Sequence, residues 1–216
     1  MCRLFGLRLY LPFYKYLVSL VLYSGGLDST ALVHYLASKG KDFDCLFVDY
    51  GQRSARQQLS YARENCERLG RKLIEARLSD IRRVFTEGMS VSPHEPVKHR
   101  NVIVLTLALV LAAERGYKRV YWGTVKEDCI YEPNRERIME KLGELAELLS
   151  VELIAPFRGM PKSFVLRLGV KHGMDPSKTY SCLLGHKEHC GACSQCEARK
   201  RAFAEAGIKD PTEYMR

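Results

Sequence analysis

Apolar positions along this chain alternate between two rhythms. Residues 18–23 form a short, almost unbroken apolar run, the pattern of a strand covered on both faces of a parallel sheet. After a Gly-Gly turn, Leu32, Val33 and Leu36 fall on one helical face, and Gly40 stands at the expected stop. Residues 45–48 then predict a second strand, 55–69 a polar helix stopped by Gly70, and 72–76 a third short strand. Residues 101–113 are apolar on nearly every side, which predicts a helix buried in the centre of the fold, ending near Gly116. A strand over 119–122 ends at Gly123, Ile138, Leu142, Leu145 and Leu149 make one helical stripe, and 151–154 predict a last strand. Residues 85–99 carry Gly88, Pro93 and Pro96 among polar neighbours and predict a loop; at that length a loop is usually functional.

Strands alternating with helices predict an α/β fold with a Rossmann-like parallel sheet and helices on both faces. Ligands of such sheets bind beyond the carboxyl ends of the strands, where Ser24, Asp49 and Gly123 fall. The expected division is an N-terminal extension over 1–17, an α/β domain over 18–160, and a C-terminal region over 161–216. No internal repeat or low-complexity tract is visible.

Composition narrows this picture only modestly. With 46% hydrophobic and 27% charged residues the chain is neither disordered nor a coiled coil. A net charge of +9 suits an anionic partner such as ATP, an acidic small molecule or RNA, but the basic residues are spread out and read equally as a solvated surface. Arg8 and Lys15 interrupt the apolar stretch 4–22 well short of a membrane span, and no small-residue cleavage site follows it. A soluble, cytoplasmic protein is expected.

Chemistry enters at Ser24-Gly25-Gly26-Leu27-Asp28-Ser29. A strand that turns through paired glycines into a helix gathers backbone N–H groups around an anion, so a phosphate belongs there. The segment lacks the lysine and longer spacer of the G-x-x-x-x-G-K-[ST] loop, which argues against γ-phosphate transfer. A plain turn capped by Asp28 or Ser29 is the blander alternative. The S-G-G-x-D-S form resembles the pyrophosphate loop of ATP pyrophosphatases, which implies cleavage of ATP between its α and β phosphates. In that reading Gly25 and Gly26 let the backbone approach the diphosphate, Ser24 and Ser29 add hydroxyl donors, and Asp28 holds Mg²⁺ or orients the loop.

The eight cysteines of the chain matter through their placement. Cys190, Cys193 and Cys196 are spaced as a metal knuckle, Gly191 permits the tight turn, and Cys182 lies a short loop upstream. Four thiolates leave no open position, so a structural Zn²⁺ is expected; His186 or His189 in place of one cysteine, and an iron–sulfur cluster, stay open. Cys45, Cys66 and Cys129 read as isolated cysteines without chemistry.

Loop and knuckle together resemble the 7-cyano-7-deazaguanine synthase family. The resemblance runs from about residue 18 to 211 and is carried also by Asp49-Tyr50-Gly51-Gln52-Arg53, Arg100-Asn101, Arg167-Leu168-Gly169, Ser181-Cys182, Cys190-Gly191-Ala192-Cys193-Ser194-Gln195-Cys196, Arg201-Ala202-Phe203, Gly207 and Asp210-Pro211. It implies an adenine-nucleotide alpha-hydrolase-like fold and a carbon–nitrogen ligase acting on 7-carboxy-7-deazaguanine, ammonia and ATP with Mg²⁺, on the route to queuosine and archaeosine in tRNA. By the same resemblance, Ser24, Asp28 and Ser29 act on the departing diphosphate, and Val48 at a strand end meets the adenine. Arg100 and Asn101 contact substrate and Lys162 the phosphates or the acid, although a surface lysine opening a helix is the more ordinary reading of Lys162, and Arg100-Asn101 reads also as a helix start. A homodimer is compatible with it, and direct nucleic-acid binding is not favoured.

Two features depart from the family pattern. Where the family has a segment ending Pro-Asp-Cys-Arg, this chain has Glu132-Pro133-Asn134-Arg135, after Glu127-Asp128-Cys129-Ile130-Tyr131; a glutamate after the Gly-Gln-Arg segment is Gln57 here. The change leaves a second reading, an adenylating enzyme that passes a deazapurine acyl group to another amine; a tRNA-modifying relative is a third. The opening Met1-Cys2-Arg3-Leu4-Phe5-Gly6 is similar to the start of class II glutamine amidotransferases, but the rest of such a domain is absent and Cys2 reads as a chance match or a remnant.

Overall fold

Five short apolar runs pair side by side into one parallel sheet. The computed structural model describes residues 19–78, 80–87 and 97–215; the expected extension 1–17, Cys2 and the first residue of the first strand lie outside them. The elements are β1 (Ser19–Leu22), α1 (Leu27–Ser38), β2 (Phe43–Asp49), α2 (Ala55–Arg68), β3 (Leu73–Arg77), α3 (Asp80–Thr86), α4 (Arg100–Arg115), β4 (Arg119–Trp122), α5 (Glu136–Leu148), β5 (Glu152–Ile154), α6 (Lys162–Lys171) and α7 (Ser194–Ala206). The strand order is β3-β2-β1-β4-β5, with Leu20 of β1 opposite Asp44 on one side and Val120 on the other. The order reverses at β1, the switch point at which doubly wound sheets open a crevice.

Period-two alternation along the strands divides the interior into two apolar layers. Val21, Tyr23, Phe43, Cys45, Phe47 and Tyr121 face a core built with α1, α6 and α7, through Leu32, Val165, Leu166 and Phe203 among others. Leu20, Leu46, Val48 and Val120 face the opposite core, which Val104, Ala108, Leu109 and Ala146 complete. Both faces are covered, hence no polar alternation in the sequence. Each fully buried leucine or valine contributes about 1.5–3 kcal/mol relative to exposure. Because Val165, Leu166, Ala202 and Phe203 belong to the first core, the region beyond residue 160 shares the interior of the sheet.

Two expectations change. The loop expected over 85–99 begins later, since Phe85 and Thr86 end α3, whose exposed Val84 and Phe85 have no apolar periodicity to announce a helix; residues 88–96 lie outside the description. The apolar helix α4 is not central: it covers one face of the sheet, with Val104, Leu105, Ala108, Leu109 and Ala112 buried and Val110 exposed. Two adjoining layers, not a surrounding shell, are what a sheet face offers a helix. No helix among the described residues is long and apolar enough to cross a membrane.

Candidate active site

A cavity of about 420 Å³ opens over the carboxyl ends of β1, β2 and β4. Ser24, Gly26, Leu27, Asp28 and Ser29 line it beside Val48, Arg100, Asn101 and Lys162, so residues far apart in the chain face one space. Gly25 does not line it. That glycine adopts φ +70°, and a Cβ there would come within 2.2 Å of the Gln58 carbonyl oxygen, so only glycine fits between the loop and α2. At Gly123, the end of β4, a Cβ would meet the Ser29 Cα at 3.0 Å. This close approach holds the start of α1 against β4.

The loop is a nest of short polar contacts. Ser24 Oγ lies 2.9 Å from Ser29 Oγ and accepts from the Gly26 N–H at 3.2 Å, while the hydroxyls of Ser29 and Thr30 donate to the Gly26 carbonyl at 3.2 and 2.8 Å. Helix α1 starts at Leu27 with Gly26 as its N-cap, so Asp28 stands in the first turn and caps nothing. Its Oδ2 instead accepts from Lys162 Nζ in an ion pair whose side chains are only 16% and 9% exposed. Lys162 is therefore not a surface lysine. It opens α6, with its backbone N–H held by the Glu127 carboxylate at 3.0 Å.

Burial pushes the Asp28 carboxyl above its ordinary value against the pull of Lys162, and Asp128 and Glu127 add to the rise. Burial alone would lower Lys162, but Asp28, Asp128 and Glu127 together outweigh it and hold the ammonium above its usual range. Asp28 Oδ1 is buried without a hydrogen-bond partner. An orphaned carboxylate oxygen with further acids in its electrostatic surroundings fits a hard divalent cation.

The opposite wall is made of side chains. Asn101 Nδ2 donates to Asn134 Oδ1 at 2.7 Å, and Asn134 Nδ2 donates to the Asp128 carbonyl at 3.0 Å. The unusual Asn134 is thus buried in contact with Asn101. Asp128 itself accepts from Thr124 Oγ1 and the Val125 N–H, both at 3.2 Å. Tyr50 sits here too, its hydroxyl pushed up by burial against the opposing charges of Arg100 and Arg82. Arg82 and Trp122 also line the cavity although their sequence context singled neither out; Ser181 and Gln195 line it from segments that carry the resemblance, and Asp128 from the segment that departs from the family pattern. For Asp128, an acid soon after the carboxyl end of β4 was the available signal.

Cys182, Cys190, Cys193 and Cys196 converge, with their Sγ atoms all within 4.8 Å of one another. The N–H groups of Leu184 and Cys190 donate to Cys182 Sγ at 3.4 Å, and that of Cys193 to Cys190 Sγ at 3.3 Å. The Cys182 thiol is pushed down to about 3, first by the Cys196 thiol and then by the backbone donors of Cys190 and Leu184. Such a cluster could hold a metal ion. His189 is not among the converging residues, and its Nε2 accepts from the Ser181 N–H at 3.0 Å.

A family model described as queuosine biosynthesis protein QueC matches residues 18–207. The chain is 52% identical over 197 residues to 7-cyano-7-deazaguanine synthase 1 of Sulfurisphaera tokodaii, covering 91% of this chain and 98% of that protein. It is 34% identical to the 7-cyano-7-deazaguanine synthase of Psychromonas ingrahamii, covering 90% and 96%. Among solved structures, the U34-tRNA thiolase NcsA of Methanococcus maripaludis superposes with a TM-score of 0.54 at 20% identity, covering 79% of this chain and 63% of that one. NMN synthetase of Francisella tularensis does so with 0.55 at 15% identity, covering 91% and 79%. These two establish the fold alone, adenine-nucleotide alpha-hydrolase-like.

Proposed function

The chain belongs to the QueC family of queuosine biosynthesis proteins, and on that premise we propose that it converts 7-carboxy-7-deazaguanine and ammonia to 7-cyano-7-deazaguanine with ATP. The observation that carries the reading is the convergence of the Ser24–Ser29 loop, Val48, Arg100, Asn101 and Lys162 on one cavity. A carboxylate is a poor electrophile because oxide is a poor leaving group. Adenylation makes it a mixed anhydride and ammonia displaces AMP to leave an amide; a second ATP then adenylates the amide oxygen, which departs with AMP as the nitrogen loses its two protons and the nitrile forms.

The residues divide this work. Ser24, Gly26 and Ser29 hold the diphosphate with N–H and O–H donors fixed before the reaction, where charge develops on the departing group. Leu27 and Gly25 set the turn, and Val48 lies against the adenine. Lys162 keeps its proton and offers a cation to the phosphates, while Asp28 holds Lys162 with Oδ2 and would hold Mg²⁺ with its unpartnered oxygen. When bound, Mg²⁺ neutralises phosphate charge. Arg100 and Asn101 contact the acid substrate.

The cysteine site supports one tetrahedral Zn²⁺. Zn–S bonds of about 2.3 Å set thiolates roughly 3.8 Å apart, against 3.9 Å between Cys190 and Cys196. A four-iron cluster spreads its thiolates wider. Metal analysis should find one zinc per chain, and chelation should lower the melting temperature. The enzyme works in the cytoplasm on small molecules, RNA is not needed, and a homodimer is compatible with the site.

Incubation with ATP and 7-carboxy-7-deazaguanine, with and without ammonia, tests the proposal. AMP, diphosphate and an ammonia-dependent nitrile are expected. ADP as the only nucleotide product would overturn the ATP chemistry, and an adduct with another amine would move the chain to the second reading, which Asn134 on the cavity wall favours.

A further inference from the structure

Arg199 is 1% exposed, the largest of the fully buried side chains, and the chemistry above makes no use of it. It stands on α7 one turn beyond Cys196. Its Nη1 donates to Thr179 Oγ1 at 2.8 Å and to Ser181 Oγ at 3.2 Å, its Nη2 to the Pro176 carbonyl at 2.8 Å, and its Nε to Thr212 Oγ1 at 2.6 Å. The nearest carboxylate, Asp210, is 3.7 Å away. A buried guanidinium is costly unless its donors are satisfied, so these contacts must hold together for the charge to stay inside. What they hold is the strap 176–181.

Between Thr179 and Ser181 the strap carries Tyr180, fully buried, whose backbone N–H donates to the Gly25 carbonyl at 3.0 Å. A trans peptide is planar, so the Gly25 carbonyl and the Gly26 N–H point to opposite sides of one rigid plate. Anchoring the carbonyl to Tyr180 turns the N–H the other way, where it donates to Ser24 Oγ, a hydroxyl of a cavity-lining residue. Glycines on both sides of a peptide leave its rotation cheap. Without the strap the plate can turn its oxygen toward the anion instead.

We infer that Arg199 is a positioning residue for nucleotide binding: by clamping Thr179 and Ser181 it fixes Tyr180, and through Tyr180 the orientation of the Gly25–Gly26 peptide. The inference rests on the proposed reading of the loop as a diphosphate cradle. It assigns the C-terminal knuckle a second task, since the helix that carries Cys196 also aims an N–H at the other end of the strap.

Arg199→Met and Thr179→Val, the latter isosteric and leaving the guanidinium in place, are to be compared with the parent protein. The readouts are affinity for α,β-methylene-ATP with Mg²⁺, KM of ATP against kcat, KM of the acid substrate, and metal per chain. Expected is a loss of nucleotide affinity of about tenfold for Arg199→Met and about threefold for Thr179→Val, with KM of ATP rising in step, KM of the acid unchanged and the metal retained. Unchanged nucleotide affinity in a folded, metal-replete variant overturns the inference. Should Arg199→Met not fold, Thr179→Val decides alone. A parent protein that binds no nucleotide overturns the ATP reading itself, whereas binding by the parent that neither variant weakens overturns only the role of Arg199.

Discussion

The two walls of the cavity are built on different plans. The loop wall comes from one short segment, in which Ser24, Gly26 and Ser29 hydrogen-bond to one another. The facing wall takes Arg100 and Asn101 from the start of α4 and Asn134 from the turns after β4, joined by the contact of Asn101 with Asn134 and by the ion pair of Lys98 with Glu132. A backbone cradle binds any diphosphate, and its sequence freedom is narrow because glycine is required where a Cβ collides. A wall of separate side chains can change one residue at a time. That difference explains why the departure at Asn134 leaves the loop intact.

The largest effect should come from breaking the loop wall at its charge. Asp28→Asn removes the counter-charge of buried Lys162 and leaves one side-chain oxygen where the carboxylate had two, and diphosphate release should fall by about 10²–10³-fold. In the parent, activity should decline on the acid side as pH drops through the raised Asp28 value, because the charged form is the one that pairs with Lys162. That acid limb should vanish from the pH profile of Asp28→Asn. Gly25→Ala combines φ +70° with a 2.2 Å collision. Stability should fall by about 1–3 kcal/mol or more in thermal melts, and turnover by about a hundredfold.

Sharpening the contrast needs variants of the other wall, with smaller effects. Asn101→Leu should raise KM of the acid substrate by about tenfold, the worth of a lost hydrogen bond, and leave KM of ATP unchanged. Equal effects on both constants would show that the walls are not independent. Asn134→Asp restores the residue of the family pattern and keeps an acceptor for Asn101, so kcat/KM should move by no more than about threefold. The donor to the Asp128 carbonyl is what it loses.

Much of this was legible beforehand, for local reasons. The strand and helix runs showed because burial on both faces of a sheet leaves no polar alternation, as in Val21, Leu20 and Val120. Helix α3 was not legible, since its apolar Val84 and Phe85 are exposed and pack on no core. The knuckle was legible through spacing. The strap 176–181 was not, because nothing in Thr179-Tyr180-Ser181 reveals that its backbone meets Gly25.

By itself the sequence determined the loop, the cysteine knuckle and the order of strands and helices, because each depends on residues a few positions apart whose spacing sets their geometry. Only the tertiary structure decided that Lys162 is buried against Asp28, across 134 residues, that Asn134 answers Asn101, and that Arg199 stands behind Gly25. The physical reason is that a lysine, an amide or a guanidinium looks the same in sequence whether solvated or enclosed. Only packing from several distant elements withdraws water and leaves each group its partners within the protein.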